Sequence, residues 1–156
     1  MAGKNKNAIQ RARLNCGLTQ EALAERAGYS DDTIRAWESG ARNCPVDALG
    51  VLGEILDAPW LTGVYLRENS RGGLDALIPD IRVGRPLPEA AADYMACVLD
   101  MVDGRFDRKL LRMIADGKIS DDEQPVFEEI MTAAEATVRA YYEMRFARHG
   151  DGDDEE

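Results

Sequence analysis

The stretch SDDTIRAWESG places Asp31 and Asp32 at the start of a short amphipathic segment. Arg35 lies within it, and Arg42 and Asn43 lie just beyond. Guanidinium and amide groups suit hydrogen bonding to base edges and phosphates, whereas a carboxylate repels phosphate and can only accept from a base amine such as cytosine N4. They do not suggest covalent catalysis. The sole histidine, His149, sits beside the acidic end DGDDEE. Without it no Ser/His/Asp or Cys/His grouping can be built, and no glycine-rich phosphate loop occurs, so an enzyme is not expected. Cys16, Cys44 and Cys97 are odd in number and form no C-x-x-C pair. They argue against a disulfide framework and a zinc site, fit a reducing compartment, and are expected to be buried as small apolar groups. ADGKISDDE matches the second half of a calcium loop, but the first ligand positions would fall on Arg112 and Ile114, which offer no suitable oxygen. A glycine turn followed by a helix start explains the same residues, and neither metal nor cofactor is expected.

The elements that would position these groups are all helical. Ile9, Ala12 and Cys16 recur at helical spacing, and Gly17 closes that helix. Thr19 caps a second helix carrying Leu23, Ala24 and Ala27, which Gly28 ends. Ser30 caps a third, with Ile34 and Trp37 inward and Gly40 as its stop. Pro45 opens a fourth with Leu49, Leu52, Ile55 and Leu56 on one face, and a short fifth runs from Pro59 through Trp60, Leu61 and Val64. Residues 67–88 then hold Gly72, Gly73, Gly84, Pro79, Pro86 and Pro88, and read as a linker. Beyond it, Ala91, Tyr94, Met95, Val98, Leu99 and Val102 make one helix face, and Leu110, Leu111 and Ile114 another. A long last helix is expected from Ser120 to about Arg148, with Glu123 completing a capping box.

Arg13, Gly17-Leu18-Thr19-Gln20, Leu23-Ala24, Gly28, Ile34, and Trp37-Glu38 followed by Gly40 together resemble the phage-repressor-like (XRE) helix-turn-helix family. The likeness runs from Ile9 to about Leu61, about a third of the chain. It implies five helices with the third as recognition helix. The physical requirements are met independently: a small residue, Ala24, where the helices approach; a turn residue tolerant of positive φ, Gly28; and apolar anchors, Ile34 and Trp37. The resemblance places Gln20 on a phosphate, and Asp31, Asp32 and Ala36 facing base edges. Ser39, Arg42 and Asn43 are expected near the backbone, with Ser30, Thr33 and Arg35 as further candidates and Lys4 and Lys6 as a basic arm. It assigns Arg13 and Glu38 to an internal salt bridge. Two readings of Asp31 and Asp32 stand: stabilising the helix dipole from its first turn, or accepting from cytosine.

Of the 156 residues 45% are hydrophobic, and no apolar run would span a membrane. MAGKNKN is polar and basic with no hydrophobic region behind it, so no secretory signal is expected. The net charge of −10 is uneven: residues 1–66 hold seven basic and eight acidic side chains, residues 67–156 hold twelve and twenty-one. The first part can therefore meet a polyanion that the rest would repel.

The sequence thus predicts an all-α protein: a five-helix DNA-binding domain over 1–66, a Gly/Pro-containing linker over 67–88, a three-helix association unit over 89–148, and an acidic disordered tail over 149–156. Phe127, Met131, Ala134, Val138 and Tyr141 follow the alternation of a coiled-coil seam, and imply a homodimer. The expected function is cofactor-free, sequence-specific regulation of transcription, as a repressor on double-stranded DNA in a bacterial or phage-derived cytoplasmic setting. The alternative is an adaptor, antitoxin-like for example, that retains the fold, binds a protein partner and binds DNA weakly or not at all.

Overall fold

The computed structural model describes residues 7–148. Lys4, Lys6, His149 and the acidic tail lie outside the described residues. The chain divides into two units, one ending at Asp80 and the next beginning at Ile81. All regular elements among the described residues are helical.

The first unit holds α1 (Ala8–Asn15), α2 (Gln20–Ala27), α3 (Asp31–Ser39), α4 (Val46–Ile55) and α5 (Leu61–Asn69). The first three start by the same chemistry. Asn7, Thr19 and Ser30 each accept a hydrogen bond from the backbone N–H three residues on, meeting a donor the helix itself cannot satisfy. Gly28 and Gly40 take the left-handed conformation that ends α2 and α3 tightly. Ile9, Leu23, Ile34, Leu49, Leu52, Leu56 and Leu61 are fully buried, at least one from every helix. Each such side chain contributes roughly 1.5–3 kcal/mol of burial free energy, which is what holds helices this short. Asn7 also donates from its amide to the Trp37 carbonyl at 2.7 Å, tying the start of α1 to α3. The Tyr65 hydroxyl accepts from the Cys44 N–H at 2.8 Å, fixing the α3–α4 loop on α5.

The boundary between units falls inside the stretch read as a linker, yet most of that stretch is built into one unit or the other. Arg67–Asn69 complete α5. Arg67 then donates to the Ile78 carbonyl at 2.8 Å and pairs with Asp75 and Asp80, which folds the following turns back onto the first unit.

The second unit holds α6 (Leu87–Asp103), α7 (Phe106–Met113), one 3-10 turn (Ile114–Asp116) and α8 (Gln124–Arg145). α6 and α8 run antiparallel. Leu87 donates to the Arg148 carbonyl, the Tyr94 and Tyr141 rings lie 6.4 Å apart, and the Thr137 hydroxyl meets the Met101 sulfur at 3.3 Å. Phe106, Met113 and Ile130 form a core against which Phe127, Leu110 and Met101 pack. A Cβ at Gly104 would come within 2.6 Å of the Phe106 ring, so a larger residue there would have to displace that ring.

At the far end, Glu143 is 1% exposed and accepts from Arg82 through Nε, Nη2 and the backbone N–H, and from Arg85 through Nη1. Burial opposes its ionisation, but the hydrogen bonds from Arg82 and Arg85 outweigh it and hold the carboxyl below the ordinary glutamate range. Asp93 accepts from Arg85 at 2.7 Å and extends the cluster.

Three expectations are corrected. The last helix begins at Gln124 and ends at Arg145, not at Ser120 and Arg148. Pro125 has no N–H to give to a preceding turn, so the helix starts late enough to put it in the first turn. Of the capping box only the Glu123 half forms: its carboxylate accepts from the Ser120 N–H and hydroxyl. Second, only Cys44 is buried, while Cys16 is exposed and Cys97 partly so. Third, Met95, Leu99, Val102, Leu111 and Ile114 are exposed, not turned inward. The second unit has too few helices to cover both sides of α6 and α8.

Candidate nucleic-acid interface

α3 is anchored by Ile34, Trp37 and Glu38, all buried. The anchor is largely electrostatic at its centre. Glu38 accepts from Arg13 Nε at 2.6 Å and from Nη2 at 2.9 Å, while Arg13 Nη1 donates to the Leu18 carbonyl at 2.7 Å. The two side chains are 8% and 3% exposed. Hydrogen bonding to Glu38 raises the Arg13 pKa further above its ordinary value, against the opposing effect of burial. The pair holds α1 to α3, as the resemblance implied.

Gln20 belongs to the same cluster. Its amide donates to Glu38 at 2.8 Å, so it turns toward the α1–α3 junction, not fully outward to a phosphate. Sequence reasoning could not see this, because a Gln in the first turn of a helix fits either role.

The outer side of α3 presents the remaining candidates. Asp32, Arg35 and Ser39 are exposed, with Asp31, Thr33 and Ala36 half-buried beside them; Ser30, Arg42 and Asn43 are exposed at the two ends. Ser30 caps the helix and its hydroxyl lies 2.9 Å from that of Thr33. The Ser39 hydroxyl donates back to the Ala36 carbonyl at 3.2 Å. Arg42 is held over the Trp37 ring with its guanidinium carbon 5.9 Å from the centroid, and its N–H donates to the Ala36 carbonyl.

Arg35 pairs with Asp32 at 3.1 Å across one turn, with 57% and 91% of the side chains exposed. Exposed pairs of this kind contribute between about 0 and 1 kcal/mol, less than the roughly 1–3 kcal/mol of a good base contact. Arg35 can therefore leave Asp32 for a nucleic acid at little cost. On α2, hydrogen bonds from its own backbone N–H and from Thr19 hold the Glu21 carboxyl below its usual range, with the charge of Arg35 adding to the effect. Arg35 thus meets Asp32 directly and Glu21 at longer range, and among the candidates on this side Glu21, Asp31 and Asp32 are acidic while Arg35 and Arg42 are basic.

The arrangement of two helices joined at Gly28, with the second buried on one side and open on the other, is decisive with one comparison. Residues 8–60 match the family model of a helix-turn-helix domain. No curated protein and no solved structure matches the chain. The matched stretch lies within the first unit. Among the described residues, no helix is long and apolar enough to cross a membrane.

Two residues of the helix-turn-helix domain escaped the sequence reading. Tyr29 is 38% exposed in the turn and meets Trp37 edge-on at 4.8 Å, forming one side of a Tyr29–Trp37–Arg42 set at the edge of the interface. An aromatic residue directly after the turn glycine was the available signal. Asn7 is a favoured cap residue by type, but its tie to α3 gave no signal, because its partner there is a backbone carbonyl. Of the residues proposed for a helix seam, Phe127 is taken up by the core of the second unit; Met131, Val138 and Tyr141 are exposed, and Ala134 is half-buried.

Proposed function

We propose that the protein is a sequence-specific, DNA-binding transcriptional regulator of the XRE type, acting as a repressor and binding as a homodimer through α8. The observation that carries this reading is α3, locked from behind by Arg13, Glu38, Ile34 and Trp37 and open along Asp32, Arg35 and Ser39. A helix so held can enter a major groove without deforming. Arg42 and Asn43 serve the phosphates, and Lys4 and Lys6 add basic charge to the same role. Arg35 and Asp32 read bases, and Asp31 stabilises the helix start. One domain covers one half-site, so pairing supplies the second. The setting that suits this reading is a bacterial or phage-derived cytoplasm.

The acid on this surface favours a second reading, a protein-interaction adaptor that keeps the helix-turn-helix shape and binds a basic partner. Selection of bound fragments from genomic DNA decides between them. A regulator recovers a repeated motif with two related half-sites, and its affinity falls steeply with salt as counterions are released. Failure to enrich any motif at low salt would leave the adaptor.

A further inference from the structure

α7 sets a basic stripe on a unit that is otherwise acidic. RFDRKLLRM, from Arg105 to Met113, holds four basic side chains and one acid, Asp107, whereas residues 67–156 together hold twelve basic and twenty-one acidic. Phe106 and Met113 turn inward and are buried. Arg108 and Arg112, one turn apart, are left exposed on the outer side, and Arg105 is exposed at the helix start. Lys109 is drawn back: its ammonium lies 5.1 Å from the centroid of the Phe106 ring and 3.9 Å from Glu129. The three arginines are not. Among the described residues no hydrogen bond or ion pair engages their side chains, whereas Arg13, Arg67, Arg82 and Arg85 all take acidic partners. Arg105 also holds a φ of 52°, where glycine or asparagine would cost less. A side chain kept at such a position points to a use for its guanidinium.

We propose that Arg105, Arg108 and Arg112 bind the phosphate backbone of double-stranded DNA, giving the second unit a sequence-independent contact of its own. The proposal rests on the reading of the chain as a DNA-binding protein, but not on α3 entering a groove. A guanidinium suits a phosphate because its planar fork offers two parallel N–H donors. From Arg105 to Arg112 the chain rises about 10 Å, the length over which one strand presents about three phosphates. An arginine without a carboxylate partner gives up no internal bond on reaching one. The acid around the stripe is repelled by the same backbone, so the unit can approach a duplex by this side only. A membrane would need more apolar surface than Leu111 and Ile114 add at the flank. An acidic protein offers carboxylates at no fixed spacing, and the helix-turn-helix domain in the same chain favours the duplex.

Arginine footprinting of the full chain tests this. Phenylglyoxal modification is read by peptide mass spectrometry with and without a short mixed-sequence duplex at low salt. The duplex should slow modification severalfold at Arg105, Arg108 and Arg112 and leave Arg139, exposed on α8, unchanged. Changing all three to glutamine should keep the helical circular-dichroism signal and lower the salt slope of duplex affinity by about 2–3. Should the triple variant lose helix, the footprint on the native chain decides. In Arg35→Ala/Arg42→Ala the α7 footprint should persist, so failure of the α3 reading would show separately, as absent sequence preference with α7 still protected. Protection of Arg35 or Arg42 without protection on α7 would overturn the α7 contact and leave the α3 reading standing. No protection at any arginine would overturn both. Protection of α7 by phosphatidylserine vesicles and not by the duplex would overturn the proposal in favour of a membrane surface.

Discussion

Replacing Glu38 with alanine should be among the most damaging single changes to the first unit. The carboxylate is 3% exposed and takes three donors: two from Arg13 and one from Gln20. Its loss leaves the guanidinium of Arg13 buried with only the Leu18 carbonyl among the bonds described above. Breaking a buried pair from one side costs roughly 3–5 kcal/mol, because an uncompensated charge stays inside. A small unit such as this has a stability near the low end of about 5–15 kcal/mol. A loss of about 4 kcal/mol reduces the folded-to-unfolded ratio nearly a thousandfold. Both tryptophans, Trp37 and Trp60, lie in the first unit, so urea unfolding followed by tryptophan fluorescence reports on that unit alone. The companion variant Arg13→Leu/Glu38→Leu removes both charges and should be less destabilised than Glu38→Ala alone. A shift below about 1 kcal/mol for Glu38→Ala, the size typical of an exposed pair, would refute the claim that this contact holds α3 in place.

If the protein binds DNA as proposed, Arg42→Ala should weaken binding to all duplexes by a similar factor and lower the salt slope by about one, as the loss of a phosphate contact does; Arg35→Ala should instead change the preferred base, visible in competition binding. The folded pKa of Glu143 is depressed, so its stabilising effect is complete above the ordinary value of 4.5 and is lost as pH falls through the lower folded value. Acid unfolding of the second unit, followed by circular dichroism, should therefore begin at higher pH in Arg82→Ala, and an unchanged midpoint would remove Arg82 from that account. Burial pushes the Cys44 thiol up to about 12, so at neutral pH a maleimide should spare it until urea unfolds the first unit. Labelling of Cys44 in the native chain, read by mass spectrometry of its peptide, would show the α3–α4 loop to be open.

The sequence by itself determined the local events. Thr19 and Ser30 announced helix starts because a short oxygen-bearing side chain satisfies a free N–H wherever it stands. Gly28 and Gly40 announced stops because the left-handed conformation is costly for other residues. Arg13 and Glu38 were legible as a pair only through resemblance to a family, since nothing local joins residues 25 positions apart. Tertiary structure decided the rest. It turned Gln20 inward, because Glu38 has an oxygen within its reach. It fixed residues on both sides of the unit boundary, because Arg67 found partners at Asp75, Ile78 and Asp80, and Arg82 found Glu143 far along the chain. It also divided the apolar face of α6. Periodicity shows that Tyr94, Met95, Val98, Leu99 and Val102 share a broad stripe; it cannot show how wide a stripe the neighbouring helix covers. With α8 covering only part, Met95, Leu99 and Val102 stay in solvent. Burial is a property of pairs of elements, and a sequence pattern describes one element at a time.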